Sequence, residues 1–192
     1  MMIENLLPFV KEIDRLKTID RQTPIHVGGR VENTAEHSWH LAMTVLVFEK
    51  MSPVKLDINK AVKMALLHDI VEIDAGDVII YGDQSSKKAK EALARERIFG
   101  LLPAEIGEDF KALWNEFEEG QCAEAKFVSA IDRFLPLYSN YLNGGYSWKN
   151  HNVKAGTVIN KCEPPIASGL PELWTVAKKM IDESIASGNL QV

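Results

Sequence analysis

The run Met64-Ala65-Leu66-Leu67-His68-Asp69-Ile70-Val71-Glu72 constrains the fold more than any other stretch of the chain. An apolar helical segment ends in adjacent histidine and aspartate, and a carboxylate follows one turn later. Neighbouring residues on a helix point about 100° apart. His68 and Asp69 therefore reach one point only across something small. A metal ion fits, because imidazole and carboxylate are both ligands for first-row divalent metals. A helix C-terminus also accounts for the dipeptide on its own: histidine gains from the dipole, and aspartate opens a turn. The rest of the chain has to decide between the two.

Helical periodicity runs through most of that remainder. Ile3 to Lys17 reads as a first helix, with Ile3, Leu6, Leu7, Val10, Ile13 and Leu16 at helical spacing. Thr18 to Glu32 reads as a loop broken by Pro24 and Gly28-Gly29, carrying Arg21, His26 and Arg30. Asn33 and Glu36 form a capping-box pattern that opens a second helix. His37, His40, Leu41, Thr44, Val45 and Phe48 then share one stripe, so His37 enters the core in the first turn. His40, one turn deeper, reads as core. A third helix starts at Asp57 or Asn59, with Ile58, Ala61, Val62, Ala65 and Leu66 inward, and Asp69 continues that face. An unpaired carboxylate buried there would be costly.

Glu72 to Asp77 is an acidic turn, and Val78 to Asp83 a short connection. Gln84 to Gly100 reads as a charged surface helix with a thin stripe of Ala89, Leu93 and Ile98. Pro103 to Glu118 points Ile106, Phe110, Leu113, Trp114 and Phe117 inward. In Cys122 to Asn143, Asp132 interrupts the stripe of Ala125, Val128, Ile131, Leu135, Tyr138 and Leu142. Pro136 cannot donate to the Asp132 carbonyl four residues back, so a kink is expected beside this acid. A salt bridge to Arg133 is the alternative use of Asp132, although adjacent helical residues diverge. Asn143 to Trp148 breaks the chain, His151 to Lys161 forms a short helix, Pro164-Pro165 breaks it again, and Leu170 to Ser187 is the last helix. With no repeats and no long linker, residues 1–192 are expected to form one all-α domain.

Composition narrows the function. Net charge is −5 with no run of five basic residues, which argues against nucleic acid as the main partner. Small anionic substrates remain open, since a metal and one or two cations hold them. The two cysteines, Cys122 and Cys162, indicate no disulfide framework and fit a reducing cytoplasm. The first residues lack the pattern of a signal peptide. The apolar runs are too short for a membrane span, so no membrane partner is expected.

Four candidate ligands thus come from three separated helices: His37, His68, Asp69 and Asp132. Two imidazoles and two carboxylates suit Mn, Fe, Co, Ni or Zn, with Mg possible, and leave positions for water and substrate. The ordered set His37…His68-Asp69…Asp132 resembles the signature of the HD-domain metal-dependent phosphohydrolases. Arg21, the stretch Glu32-Asn33-Thr34-Ala35-Glu36-His37-Ser38, His68 to Glu72 and Gly76-Asp77 are similar to the 5′-deoxynucleotidase group and its relatives.

That resemblance implies an all-α bundle, often dimeric, acting on deoxyribonucleoside 5′-monophosphates. It implies one divalent metal held by the two histidines and two aspartates. Glu72 and Asp77 would handle the attacking water and proton transfer, and Arg21 would contact the phosphate. The group carries a tryptophan directly after that arginine or shortly after it, whereas this chain continues Gln22-Thr23-Pro24, so base or sugar recognition is expected to differ. A phosphodiesterase, a pyrophosphohydrolase and a non-catalytic nucleotide sensor are the competing readings. The acids Glu72 and Asp77 favour turnover, because binding alone does not need them.

Overall fold

The structure, a computed structural model, describes residues 2–78, 80 and 87–192. Its helices are α1 (Leu7–Ile13), α2 (Thr34–Phe48), α3 (Ile58–Leu67), α4 (Glu72–Ala75), α5 (Lys87–Phe99), α6 (Ala104–Glu119), α7 (Ala123–Leu142), α8 (Tyr146–Asn150), α9 (Ala155–Gly169) and α10 (Pro171–Ala186). The expected connection Val78 to Asp83 and the first residues of the helix expected from Gln84 fall largely outside the described residues.

Helix α7 is apolar on nearly every side. Ala125, Phe127, Val128, Ala130, Ile131, Phe134, Leu135 and Leu137 are all buried. A helix of that kind has to be surrounded, and α7 packs against α2, α3, α6, α9 and α10. Around it lies the larger core, with Leu41, Val45, Met64, Trp148, Ile166 and Ile181 fully enclosed. A second apolar cluster joins Phe9, Leu16, Leu67, Ile70, Val71, Ile98, Phe99 and Trp114. Met64 and Ala65 belong to the first cluster, Leu67 and Ile70 to the second. His68 and Asp69 therefore sit on the seam between two cores.

Several local expectations are corrected. The stretch Thr18 to Glu32 holds a two-stranded antiparallel ribbon, β1 (Asp20–Pro24) and β2 (Val31–Asn33), pairing Asp20 with Asn33 and Pro24 with Val31. Its strands are too short and too polar to show alternation. The first helix is divided into 3-10 turns at Ile3–Leu6 and Asp14–Thr18 around α1. Ile3, Leu7 and Val10 face outward, and Phe9 and Leu16 turn in. Leu66 and Leu93 are likewise exposed, while Ala94 and even Glu91 are buried on α5. His40 is exposed rather than core.

Pro164 and Pro165 do not break the chain; α9 passes through them. Pro164 lies on the exposed side, away from the buried stripe Ala155, Val158, Cys162, Ile166 and Gly169. That stripe packs on α7. At its end a Cβ on Gly169 would come 2.0 Å from the Lys126 carbonyl oxygen and 2.8 Å from Ala130 Cβ. The two backbones approach closely there, and only glycine permits it. Gly169→Ala is expected to lower the stability of the fold by about 1–3 kcal/mol, measured by urea unfolding. An unchanged midpoint would mean that the helices part at little cost.

Candidate metal centre and catalytic pocket

Helix starts and stops place the polar side chains. Asn33 accepts from the Glu36 amide and Glu36 accepts from the Asn33 amide, closing the expected capping box. The box fixes the first turn of α2, where His37 is completely buried. Asp57 caps α3 by accepting from Lys60 N at 3.1 Å. At the other end, the His68 carbonyl has lost its helical partner and accepts from the buried Trp114 indole N–H at 2.9 Å. The chain then turns through Asp69 into α4, and Gly76, at φ 74°, ends that turn.

The expected ligands meet. One side-chain atom from each of His37, His68 and Asp69 lies within 4.8 Å of the others. Asp132 joins from α7, with Oδ1 3.0 Å from His37 Nε2 and 3.7 Å from His68 Nε2. His68 Nδ1 faces the Ala65 carbonyl at 3.0 Å. A carbonyl only accepts, so the proton sits on Nδ1 of the neutral ring and Nε2 presents a lone pair. His68 Nε2 is 3.0 Å from Asp69 Oδ2 yet makes no hydrogen bond among the described residues. His68 Nε2 crowds carboxylate oxygens without pairing, as a cation site requires, while His37 Nε2 and Asp132 Oδ1 share a hydrogen bond.

The charges point the same way. Burial alone would lower the pKa of His68, but the Asp69 and Asp132 carboxylates raise it to about 10. Burial would raise Asp69 and Asp132, yet the facing imidazoles hold both below the usual carboxylate range. The cluster draws in positive charge, which a dication supplies once the imidazoles release their protons. His37, His68, Asp69 and Asp132 could hold such an ion. Glu32 Oε1, 3.5 Å from His37 Nδ1, is placed to orient that ring from behind. No periodicity singled out Glu32; it lies on a strand too short to show any.

The two further acids line the adjoining cavity of about 230 Å³, together with Arg21, Gln22, Lys87 and Arg133. Glu72 is buried and accepts from Thr34 Oγ1 at 2.9 Å. Burial, and then the Asp69 charge, push its carboxyl up to about 8. Burial also raises Asp77. Asp74, the third acid of the turn, is exposed and pairs with Arg97 instead.

Arg21 enters from β1. The ribbon is pinned from outside: Ser147 Oγ donates to the Gln22 carbonyl at 2.8 Å, and Ser139 Oγ to that of Pro24. The guanidinium Nη1 lies 2.7 Å from Asp69, 3.7 Å from Asp77 and 3.9 Å from Glu72, and Nε lies 3.3 Å from Glu32. Burial opposes its charge, but these four carboxylates raise its pKa further. The other two loop cations are outside: Arg30 pairs with Glu36 on the surface, and His26 is exposed.

Removing one partner of a buried ion cluster leaves the rest uncompensated. Arg21→Gln is therefore expected to cost about 3–5 kcal/mol of stability at pH 7 in chelator, read by urea unfolding. A loss below about 1 kcal/mol would match an exposed pair and show that solvent already screens these acids.

A family model described as HD domain matches residues 13–174. The 5′-deoxynucleotidase HDDC2 of Xenopus laevis is 30% identical over 133 residues, which is 68% of this chain and 65% of that protein. Its Homo sapiens namesake is 29% identical over 132 residues, 67% of this chain and 63% of the relative. The chain thus spans slightly less than two thirds of the length of these curated relatives. Among solved structures, a predicted metal-dependent phosphohydrolase from Magnetospirillum magnetotacticum superposes with a TM-score of 0.92 at 39% identity, covering 99% of this chain and 98% of that one. The PH0347 protein from Pyrococcus horikoshii shares the fold, with a TM-score of 0.65 at 22% identity, 93% of this chain and 99% of that one.

Proposed function

This chain belongs to the HD-domain family, and we propose that it is a metal-dependent phosphohydrolase acting on deoxyribonucleoside 5′-monophosphates. The observation that carries the reading is the crowding of His37, His68 and Asp69 ligand atoms within 4.8 Å, with Glu72 beside them. We assign the metal to His37, His68, Asp69 and Asp132, and the proton chemistry to Glu72 and Asp77, within one domain of residues 1–192. Manganese, cobalt, iron, nickel or zinc matches this donor set, with magnesium the harder alternative. The names of the curated relatives support the nucleotide part of the reading.

His37, His68, Asp69 and Asp132 would hold a divalent ion, which would supply Lewis acidity toward the phosphoryl group and lower the pKa of a water. Glu72 takes the proton from that water as its oxygen bonds to phosphorus. Burial raises the proton affinity of this carboxyl. Thr34 fixes which Glu72 oxygen faces the site. The P–O5′ bond breaks as the new P–O bond forms, and the proton taken by Glu72 passes to the leaving oxygen by way of Asp77, which faces the same Arg21 Nη1. Arg21 holds both acids and Asp69 in register through Nη1.

Three outcomes test this. The protein with Mn²⁺ or Co²⁺ releases phosphate from a deoxynucleoside 5′-monophosphate and loses that activity in chelator; cleavage of cyclic or diphosphate linkages alone would defeat the monoesterase reading. Asp132→Ala loses bound metal on dialysis, although 63 residues separate it from Asp69; full occupancy would remove Asp132 from the ligand set. Glu72→Gln keeps the metal and loses about 10²–10⁴ of the rate, and unchanged turnover would exclude it as the base.

A cytoplasmic homodimer is the proposed setting. Trp39, Met43, Leu46 and Val47 form an exposed apolar stripe on the outer face of α2, which a second copy would cover. Sedimentation of Trp39→Glu should give a monomer where the unmodified chain gives a dimer.

A further inference from the structure

Arg133 follows Asp132 directly, a spacing that turns side chains about 100° apart on a helix. Its guanidinium nevertheless comes back toward the cavity: Nη2 stands 3.9 Å from Asp132 Oδ2, and Arg133 lines the cavity with Lys161. The Asp132 carboxylate thus has two sides. Oδ1 faces the histidines, 3.0 Å from His37 Nε2, and Oδ2 faces Arg133. At 3.9 Å that contact is an ion pair too long to be a hydrogen bond. Arg133 Nε is buried and has no hydrogen-bond partner among the described residues. A buried donor left unmade is costly until an acceptor arrives. Lys161 reaches the same cavity from α9; it is exposed and makes no ion pair among the described residues.

Arg21 differs at its fork: Nη1 already donates to Asp69 Oδ2 and stands within 4 Å of Glu72 and Asp77. Its buried Nε, 3.3 Å from Glu32 Oε1, makes no hydrogen bond among the described residues either. A phosphate drawn to that edge of Arg21 would have to displace carboxylates and would lie among like charges.

We propose that Arg133, assisted by Lys161, is a clamp that binds the phosphate dianion of the substrate. The planar fork of an arginine matches two oxygens of one phosphate, and Lys161 adds a point charge at the mouth. The clamp rests on the phosphohydrolase reading for its reaction, but the anion site itself is tested by binding alone.

The test uses the full chain loaded with Mn²⁺. Inorganic phosphate binding is measured by calorimetry, and steady-state kinetics are run on a deoxynucleoside 5′-monophosphate and on an aryl phosphate. Arg133→Gln is expected to retain its metal, to weaken phosphate binding by about 10- to 100-fold, and to raise KM for both esters by a similar factor. Lys161→Gln is expected to weaken both by about 2- to 10-fold. Arg133→Lys, which keeps the charge and loses the fork, falls between the wild type and Arg133→Gln, and carries the comparison if the glutamine variant does not fold.

Unchanged phosphate affinity and KM in Arg133→Gln would overturn the clamp. Loss of metal in that variant would also overturn it, because Arg133 would then act only through Asp132. A wild-type protein that does not bind phosphate overturns it as well. If the wild type binds phosphate, Arg133→Gln does not, and neither hydrolyses a monoester, the clamp stands and the monoesterase reading falls.

Discussion

Five carboxylates, from Glu32, Asp69, Glu72, Asp77 and Asp132, converge on one buried guanidinium and two buried imidazoles. Each of these groups alone would be too costly to take out of water. Together they are tolerable only in one arrangement, because every charge depends on a partner from another element. Arg21 comes from β1, Glu32 from β2, His37 from α2, His68 and Asp69 from the end of α3, and Asp132 from α7. A shift of any one element leaves the others unpaired. The apolar clusters on either side determine where these elements lie, and the ion cluster determines their register.

The seam position of His68 and Asp69 follows from this division. Packing on one side is supplied by Met64 and Ala65 against α7, on the other by Leu67 and Ile70 against α5 and α6. Polar side chains between two cores see little water, so they interact strongly with one another. Trp114 adds to this by donating its indole N–H to the His68 carbonyl at the end of α3.

The sequence announced this geometry wherever a polar residue broke a long apolar stripe. Asp132 on a helix of twenty residues and His37 behind a complete capping box are such cases. Short elements were less readable. The seven-residue α1 offers too few turns to distinguish its inward face, and Phe9 rather than Leu7 proved buried. The ribbon carries Arg21 and Glu32 on strands too short for alternation to register. Pro164 and Pro165 read as a break because proline removes amide donors, yet α9 continues, held by its packing on α7. Arg133 was set aside because neighbouring helical residues diverge; the length and flexibility of its side chain cancel that divergence.

The ribbon has a bearing on how this chain can vary over time. Between its two paired ends β1 advances four residues, from Asp20 to Pro24, while β2 advances two, from Val31 to Asn33, so the register is irregular on the stretch that carries Arg21. Asp20 opposite Asn33 sets the frame in which Arg21 and Glu32 reach the ions. Loss of one residue inside β1 would alter that irregularity and with it the presentation of Arg21 to the acids. The turn from Ile25 to Arg30, with Gly28 and Gly29 at positive φ, carries no such requirement. A change of length at that tip leaves both paired ends of the ribbon in place, whereas a change inside β1 falls between them, where Arg21 is set.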